Sequence, residues 1–379
     1  MIKQNEFPVG SNKPFHSKYR PTSFQNIVGQ EHVVSYFKKS ISSNRINFAY
    51  LFLGKHGVGK TTLSRIIAKT LNCHNILLKK NCEPCNYCTS CIAISHGKSF
   101  DVHEFNAALN TGIDNIRDII EKIQFTPVNG KYKICIIDEV HMLSPNAFNA
   151  LLKVLEEPPK NVLFILATTD IKRIPNTIVS RCHRLCFLSL SKTDLAIAIT
   201  TVIWLEKGNI TNKALTNILN FSKGSFRDAL NATDMLITQN KFITQNSFSS
   251  LFTEIPYSIS QLFLQYLILK NAEKLLMIYI YIQEKEWLPS SVINQLQELL
   301  QDQIISCSQL SFNNCYYLSL WQLLSKYKSY DFSQDLLSSF MSEALYLISI
   351  AKNNPHEESV FTSKKSIPFH MKVNNVSVY

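Results

Sequence analysis

The chain has 379 residues, of which 45% are hydrophobic and 18% are charged, and this composition excludes a largely disordered protein. Lys and Arg number 39 against 28 Asp and Glu, which gives a net charge of +11 and favours an acidic partner such as nucleic acid. The heavy use of Lys, Asn and Ile is typical of an AT-rich genome, so this charge is only a weak indicator of such a partner.

Targeting signals are missing from the sequence. The first residues, MIKQNEFPVGSNKPF, lack the apolar core of a signal peptide, and no run of about 20 apolar residues predicts a membrane span. We therefore expect a soluble, cytoplasmic protein in which thiols stay reduced. Its ten cysteines then predict buried thiols or metal ligands and not a disulfide framework.

Strand and helix patterns alternate between about residues 18 and 190. The polar residues 1–17 before them predict a flexible arm. Apolar residues recur with helical spacing after Lys60, and a second helix is predicted over residues 145–157, where Pro158 ends it. Four short apolar runs predict buried strands: FAYLFL (48–53), DVHEF (101–105), YKICII (132–137) and VLFILA (162–167). This alternation predicts an α/β domain with a mostly parallel sheet covered by helices on both faces.

The strand pattern ends near residue 190, and the rest of the chain has helical patterns. Residues 191–253 contain two short amphipathic helices, each followed by glycine. Residues 254–352 are again helical in pattern and rich in Leu, Ile and Tyr, which predicts an all-α domain. Residues 353–379 lose this periodicity and predict a flexible tail.

The stretch GKHGVGKT matches the phosphate-binding pattern G-x-x-x-x-G-K-[ST]. A predicted buried strand precedes it and a predicted helix follows it, which is the context that this loop requires. Its glycines let backbone N–H groups approach a phosphate, Lys60 would neutralise the outer phosphates, and the Thr61 hydroxyl would bind Mg²⁺. The residues predicted to hold the nucleotide phosphates are Gly54, Lys55, His56, Gly57, Val58, Gly59, Lys60, Thr61 and Thr62.

Two carboxylates, Asp138 and Glu139, follow the predicted strand YKICII. Ligands of open α/β sheets bind at the carboxyl ends of the strands, so both side chains are expected beside the phosphate loop. We expect Asp138 to hold Mg²⁺ and Glu139 to polarise the attacking water. The neighbouring His141 is expected to be structural or orienting rather than catalytic.

Three further motifs fit a hydrolytic machine. LATTD (166–170) ends the next strand with hydroxyl groups, from which Thr169 could sense a γ-phosphate. SRC (180–182) and GSFRDAL (224–230) each place an arginine beside small residues. On spacing alone, an ordinary surface ion pair is the simpler interpretation of Arg181 and of Arg227.

Four cysteines occur at every third position in NCEPCNYCTSC (81–91), and Cys73 precedes them. Four thiolates in a closed tetrahedral set suit structural Zn²⁺, although an iron–sulfur cluster or an unmetallated thiol cluster would use the same residues. A tetrahedral site needs only four of the five cysteines, and spacing alone does not decide which one is left out.

Together these motifs resemble those of one family, the gamma/tau subunits of the bacterial DNA polymerase III clamp loader, which are AAA+ ATPases. The resemblance covers about residues 18–235 and runs in order through KYRPTSFQNIVGQEH, GKHGVGKTT, PCNYCTSC, IIDEVHML, NALLKVLEEPP, LATTD, SRC and GSFRDAL. Beyond residue 254 only the length and the helical character are similar. The long tail of a tau form is missing, so a gamma-length product is expected.

The resemblance implies three domains. These are an AAA+ P-loop domain over residues 18–190 with a cysteine insertion at 73–91, a small helical lid over 191–253, and an all-α collar over 254–352 that oligomerises. It also implies an adenine pocket lined by Tyr19, Arg20, Pro21 and Val28. Thr169 becomes the first sensor and Arg227 the second. Arg181 becomes the finger that reaches the ATP of a neighbouring subunit, which reverses the simpler interpretation of both arginines.

The resemblance also selects the metal ligands. The family has a cysteine at the end of the helix after the phosphate loop and then C-x-x-C-x-x-C, which makes Cys73, Cys85, Cys88 and Cys91 the zinc ligands. Cys82 departs from this pattern and has the spacing to replace Cys73. The insertion lies away from the phosphates, so it is expected to brace a loop and not to catalyse.

The function implied is the ATP-driven opening and loading of a ring-shaped sliding clamp onto primed DNA, with ATP, Mg²⁺ and Zn²⁺ as cofactors. The implied partners are delta-type and delta-prime-type loader subunits, further copies of this chain, the clamp, and DNA bound without sequence preference; no membrane is implied. We expect an ATPase without a polymerase site, because no carboxylate pair remains once Asp138 and Glu139 are assigned. Arg117 and Arg173 are the candidates for contacts with DNA phosphates, and solvated surface arginines are the alternative.

Two other functions stay open. An AAA+ branch-migration motor is one, and the cysteine insertion and the SRC motif argue against it. A structural loader subunit without ATP hydrolysis is the other, and the complete phosphate loop and the DE pair argue against it. A zinc-based reader of DNA sequence is disfavoured, because the cysteines lie within an ATPase core and no recognition-helix pattern follows them.

Overall fold

The structure, a computed structural model, describes residues 13–75, 82–109, 112–252, 255–285, 287–306, 315–328 and 335–353. The chain divides after Phe248 into two units, and the boundary predicted at residue 254 lies close to this division. The predicted P-loop domain and most of the predicted lid fall in the first unit, and the predicted collar falls in the second.

Among its described residues, the first unit has a five-stranded sheet and the helices that connect its strands. Strands β1 to β5 span Ala49–Leu53, Val102–Asn106, Lys133–Asp138, Val162–Thr168 and His183–Cys186. Helices α1 to α7 span Phe15–Lys18, Glu31–Ser42, Lys60–Asn72, Thr89–Ser95, Ile113–Gln124, Pro145–Glu156 and Asn176–Val179. Short 3₁₀ turns lie at Phe24–Asn26, Val140–Met142 and Ile171–Arg173.

The sheet has the strand order β2–β3–β4–β1–β5, and every neighbouring pair is parallel. The four strands predicted from apolar runs are confirmed to within one residue at each end. The fifth strand was not predicted. It lies at the edge of the sheet and has the sequence HRLC, whose side chains are mostly exposed, so no apolar run marks it.

Helices cover both faces of the sheet. On one face, Leu51 and Ile137 pack in a core with residues of α5 and α6. On the other face, Phe52 and Ile136 pack in a second core with residues of α2 and α3. Successive side chains of a strand point to opposite faces, so a strand that is covered on both sides is apolar at every position. The predicted parallel α/β arrangement is confirmed.

Local capping explains where α6 lies. The hydroxyl of Ser144 accepts a hydrogen bond from the N–H of Ala147, and Pro145 takes the first helical position, where its missing N–H is not needed. The helix ends at Glu156, two residues before Pro158, because a residue that precedes proline disfavours the helical conformation. The helix predicted over residues 145–157 is confirmed.

The lid region contains helices and one pair of very short strands. Helices α8 to α11 span Lys192–Leu205, Asn212–Ser222, Phe226–Gln239 and Gln245–Phe252. Strands β6 (Asn209–Ile210) and β7 (Phe242–Ile243) form a separate parallel pair between them. The expectation that strands end near residue 190 is therefore wrong, since two-residue strands are too short to produce a periodic pattern.

The flexible arm predicted over residues 1–17 is wrong for its last residues. Residues 1–12 lie outside the described part of the chain, but Phe15 begins α1 and is buried. Its N–H donates to Oδ2 of Asp234 in α10 at 3.0 Å, and His16 is hydrogen-bonded to Asn231 of the same helix at 2.7 Å. These partners lie 219 and 215 residues later in the chain, so a polar local sequence does not indicate them.

After the end of α11, which crosses the division, the described part of the second unit consists of five helices. Helices α12 to α16 span Tyr257–Ile268, Ala272–Glu284, Pro289–Ser306, Cys315–Lys328 and Asp335–Asn353. Their apolar faces enclose one core, which includes Phe263, Leu296, Leu324 and Phe340. No described helix of the chain combines the length and the hydropathy that a bilayer span requires. The tail predicted over residues 353–379 lies, beyond Asn353, outside the described residues.

Candidate functional site

The predicted phosphate loop connects the end of β1 to the start of α3. Lys60 is the first residue of α3 and is buried. Its ammonium donates to the carbonyl oxygens of Gly54 at 2.7 Å and of Lys55 at 2.8 Å. Burial lowers the pKa of Lys60, and the carboxylates of Glu139 and Asp138, at the end of β3, oppose this effect. The ammonium is thus held inside the loop at a helix N-terminus, where free backbone N–H groups and the helix dipole favour an anion.

The two predicted Mg²⁺ ligands contact each other. The hydroxyl of Thr61, in the first turn of α3, donates to Oδ2 of Asp138 at 2.6 Å. Asp138 is the last residue of β3 and lies 77 residues later in the chain. A hydroxyl and a carboxylate are the ligands that Mg²⁺ takes from the chain in P-loop sites, so these two side chains fit that ion.

Glu139 lies among polar side chains from three segments. Its Oε1 is 3.3 Å from Nδ1 of His56 in the phosphate loop, and its Oε2 is 3.5 Å from Nδ1 of His141. The hydroxyl of Thr169, which follows β4, is also 3.5 Å from Oε2. His141 additionally contacts the hydroxyl of Thr168 at 3.0 Å. These contacts fix the carboxylate beside the loop and give His141 the geometry of an orienting residue.

A cavity opens beside the loop. Its volume of about 320 Å³ lies at the lower end of the range for ligand pockets. The predicted loop residues from 56 to 62 line it together with Asp138 and Glu139. Of the predicted adenine-pocket residues, those that line the same cavity are Arg20, Pro21 and Val28. The fourth, Tyr19, is not among the described lining residues. Its hydroxyl donates to Glu206 of the lid, and its ring packs edge-on against Phe15.

Several lining residues were not identified from the sequence, and two of them, Arg65 of α3 and Glu104 of β2, carry opposite charges. They form a forked ion pair with N–O distances of 2.6 and 2.7 Å. Burial, and secondly the charge of Arg65, lower the pKa of Arg20 to about 10, so Arg20 stays charged at neutral pH. Nε of Arg20 donates to Thr62 at 3.0 Å. Arg65 stands four residues after Thr61 on the same helix face, and this spacing is the signal that would have identified it.

The lid touches the phosphate loop at Gly57. The backbone N–H groups of Phe226 and Arg227 donate to the carbonyl oxygen of Gly57 at 3.1 and 3.4 Å. Gly57 has a φ of +71°, and a Cβ atom there would lie 2.1 Å from Oγ of Ser225, so only glycine allows this approach. Arg227, the predicted second sensor, lines the cavity from the first turn of α10.

Arg181 lies away from the cavity of its own chain. It follows α7, and its guanidinium donates to the carbonyl oxygen of Thr177 at 2.8 Å and to Oε1 of Glu156 at 2.6 Å. It is not among the described residues that line the cavity. A role toward the nucleotide of a neighbouring subunit requires such a placement.

The thiols of Cys73, Cys85, Cys88 and Cys91 lie within 4.8 Å of one another. Cys73 directly follows α3, and Cys88 caps α4 with its sulfur, which accepts the N–H of Cys91 at 3.4 Å. Burial raises the pKa of Cys88, but N–H donors from His74 and Cys91 and the neighbouring thiols lower it to about 6. Four clustered sulfurs, one of them favoured as a thiolate, fit a tetrahedral Zn²⁺ site.

Cys82 lies outside this cluster. Its thiol donates to the carbonyl oxygen of Lys38 at 3.3 Å. The sequence left open whether Cys82 replaces Cys73, and in this structure Cys73 joins the other three thiols. The cluster therefore consists of the four cysteines that the family resemblance selected.

The two candidate DNA-binding arginines have ordinary surface surroundings. Arg117 lies 3.6 Å from Asp114, and Arg173 lies 3.4 Å from Asp170, each three residues earlier in the chain. Both arginine side chains are more than half exposed. Such pairs are common on protein surfaces, so the geometry adds no support for a DNA contact at either residue.

Comparisons with known proteins show the family. A family model described as "DNA polymerase III, delta subunit" matches residues 29–191. The gamma subunit of DNA polymerase III from Buchnera aphidicola subsp. Acyrthosiphon pisum is 36% identical over 262 residues, which are 69% of this chain and 72% of the relative. The tau subunit from Bacillus subtilis is 34% identical over 373 residues, which are 96% of this chain and 63% of the relative.

The other matches differ in how much of each chain they cover. This chain spans only 34% of the Haemophilus influenzae tau/gamma subunit, to which it is 40% identical over 236 residues, 62% of its own length. Among solved structures, the Thermotoga maritima RuvB Holliday junction branch migration motor aligns with 66% of this chain and 79% of its own length. The identity is 17% and the TM-score is 0.46, which is too low for a functional argument.

Gly57→Ala is predicted to loosen the contact between the lid and the phosphate loop. The added methyl group would overlap Ser225, so the hydrogen bonds from Phe226 and Arg227 to Gly57 should break. Hydrogen exchange measured on the nucleotide-free chain should be about tenfold faster at these two amides. Gly59→Ala is the matched control, because Gly59 also has a positive φ but no atom within 4 Å of an added Cβ. Equal exchange in the two variants would contradict the steric argument.

Proposed function

Because this chain belongs to the gamma/tau family of DNA polymerase III subunits, we propose that it is an ATPase of the clamp loader, which opens a ring-shaped sliding clamp and loads it onto primed DNA. The observation that carries this proposal is the convergence of Lys60, Thr61, Asp138 and Glu139 on one cavity. These are the groups that a P-loop enzyme supplies for hydrolysis of a nucleoside triphosphate. A purely structural subunit would not need these four groups at one cavity.

In this proposal, residues at the carboxyl ends of β1 and β3 have different roles in hydrolysis. Lys60 exchanges its carbonyl partners for the outer phosphate oxygens of ATP. Thr61 and Asp138 hold Mg²⁺, which when bound neutralises phosphate charge. Glu139, oriented by its histidine neighbours, positions the attacking water and accepts its proton.

Other residues in or next to the cavity recognise the base and the sugar, and detect whether a γ-phosphate is present. Arg20, Pro21 and Val28 form the wall for the base and the sugar. Thr169 contacts Glu139, so it is placed to respond to a γ-phosphate. Arg227 reaches the same phosphate from the lid, and the contact between the lid and Gly57 couples lid position to the loop.

Arg181 is assigned to a neighbouring subunit. Arg181 does not line the nucleotide cavity of its own chain. Its guanidinium forms an ion pair with Glu156, an exposed carboxylate that a phosphate of the neighbouring subunit's ATP can replace. Further copies of this chain, delta-type and delta-prime-type subunits, the clamp and primed DNA are the proposed partners. Residues 254–352 are proposed as the oligomerising collar.

ATPase activity measured with and without primed DNA and the sliding clamp tests the function. Turnover should require assembly with the other loader subunits and should rise when both DNA and clamp are present. Lys60→Ala should lower turnover by at least about a hundredfold, because a charge that stabilises the transition state is lost. Lys160→Ala, at an exposed lysine, is the control. Strand displacement without a clamp would favour a branch-migration motor, and absent turnover would favour a structural subunit.

Removing Arg181 is predicted to spare ATP binding by the isolated chain and to abolish DNA-stimulated turnover of the assembly. An arginine supplied in trans can contribute ~10³–10⁵ in rate. Mixing Lys60→Ala with Arg181→Ala in one oligomer should restore part of the activity, since some boundaries then pair an intact loop with an intact arginine. A mixture that assembles but stays inactive, or an Arg181→Ala chain that loses ATP binding, would contradict a role in trans.

The cysteine cluster is proposed to hold one Zn²⁺ with a structural role. Elemental analysis should find one zinc per chain in the purified protein and in Cys82→Ser. Cys88→Ser should lose the metal, because a three-thiolate set leaves the tetrahedron open. Zinc that survives Cys73→Ser but not Cys82→Ser would exclude the assignment of Cys73. Iron in place of zinc would contradict the assignment of the metal as Zn²⁺.

A further inference from the structure

Helix α3 connects the phosphate site to the cysteine cluster. Thr61 and Thr62, in its first turn, line the cavity, and Cys73, directly after its end, belongs to the cluster. Between them, Lys69 is only 4% exposed. A lysine is rarely buried unless polar groups surround its ammonium, so Lys69 needs hydrogen-bond acceptors inside the protein.

The ammonium of Lys69 joins two separate segments of the chain. It donates to the carbonyl oxygen of Thr22 at 2.9 Å and to Oδ1 of Asn86 at 2.7 Å. Asn86 lies inside the cysteine insertion, directly after the cluster residue Cys85, and has a φ of 63°. Asn86 therefore adjoins a cysteine of the cluster in the chain and contacts Lys69 through its side chain.

Glu83 makes a second link from the cysteine insertion. Its carboxylate is buried, with Oε2 accepting the N–H of Phe24 at 2.8 Å and Oε1 lying 2.9 Å from the ammonium of Lys38. Phe24 is itself buried in the core that includes Val58 of the phosphate loop. The insertion thus holds the backbone at residues 22 and 24, on both sides of Ser23.

The segment held in this way, residues 20–28, forms one wall of the nucleotide cavity. Arg20 and Val28 at its two ends line the cavity, and Arg20 also donates to Thr62 of α3. We propose that Lys69 and Glu83 are positioning residues that tie the cysteine insertion to residues 20–28. An ordered insertion then favours nucleotide binding, and a loosened insertion weakens it. This inference rests on the proposed ATP-binding function.

The physical reason is the burial of the lysine charge. If the insertion loosens, Lys69 loses the oxygen of Asn86 as an acceptor while its ammonium remains away from water. A buried charged donor that loses an acceptor is strongly destabilised, so the side chain has to move toward solvent. That movement also breaks the hydrogen bond from Lys69 to the carbonyl oxygen of Thr22. Residues 20–28, which form the wall of the cavity, can then shift.

Asn86→Gly is the most selective test. Glycine keeps the backbone N–H and accepts the positive φ, so the change removes the Asn86 oxygen that accepts from Lys69 and leaves the Thr22 carbonyl oxygen in place. We expect metal content equal to that of the unaltered chain by elemental analysis, and an affinity for a fluorescent ATP analogue that is about tenfold weaker. Hydrogen exchange should be faster at the backbone amides of residues 20–28. Lys69→Met should give the same results, and Lys160→Met, at an exposed lysine, should change neither measurement.

Glu83 provides a rescue test of the second link. Glu83→Ala removes the acceptor of the Phe24 N–H and should weaken nucleotide binding in the same way. Glu83→Gln keeps an oxygen that can accept this N–H, so it should retain most of the affinity. Equal losses in the two variants would assign the role of Glu83 to its charge pair with Lys38 and would overturn its part of the inference.

The inference is overturned if Asn86→Gly keeps its metal, binds nucleotide with unaltered affinity and shows unchanged exchange over residues 20–28. Loss of metal in Asn86→Gly also overturns it, because Asn86 would then serve only the cluster. If Lys69→Met does not fold, the result for Asn86→Gly decides alone.

If the unaltered chain binds no ATP, the proposed function fails, but the tie between the cysteine insertion and residues 20–28 can still be tested. Hydrogen exchange at the amides of residues 20–28 is then measured before and after zinc removal. Faster exchange after removal supports the tie, and unchanged exchange overturns it.

Discussion

The nucleotide cavity depends on one constraint, which is the parallel register of β1, β3 and β4. Leu53 pairs with Thr168, and Ile137 pairs with Leu166, so the three strands end at the same edge of the sheet. The phosphate loop, the two carboxylates and Thr169 lie at these three ends and therefore have to meet. A slip of one residue in β3 would turn Asp138 to the opposite face of the sheet and break its contact with Thr61.

The features that could be predicted from the sequence are those that are local in the chain. The phosphate loop, the DE pair and the C-x-x-C-x-x-C spacing each identify a residue through neighbours only a few positions away. Fully buried strands are also local features, because burial on both faces requires an apolar residue at every position. Even the choice between Cys73 and Cys82 needed more than spacing. It depends on where α3 ends, since Cys73 directly follows its last residue and Cys82 turns toward Lys38.

The features that the sequence did not predict depend on distant contacts or on very short elements. Phe15 and Asp234 are 219 residues apart, and Arg65 and Glu104 are 39 residues apart, so no spacing rule connects either pair. Tyr19 was placed in the adenine pocket by resemblance, but its hydroxyl contacts Glu206, a lid residue 187 positions later. The edge strand β5 and the two-residue strands β6 and β7 lack long apolar runs, because such strands need little burial.

Two buried lysines on α3 show how one helix serves two different purposes. Lys60 and Lys69 are separated by about two and a half helical turns, which places them on opposite faces of the helix. Burial disfavours the charged form of an ammonium, so each lysine needs carbonyl oxygens around it. The acceptors of Lys60 belong to the loop itself, and phosphate oxygens can replace them without disturbing another segment. Two acceptors of Lys69, the carbonyl oxygen of Thr22 and Oδ1 of Asn86, belong to two other segments, so its charge holds those segments in place. The first lysine is therefore available to a ligand, while the second fixes the wall that faces the ligand.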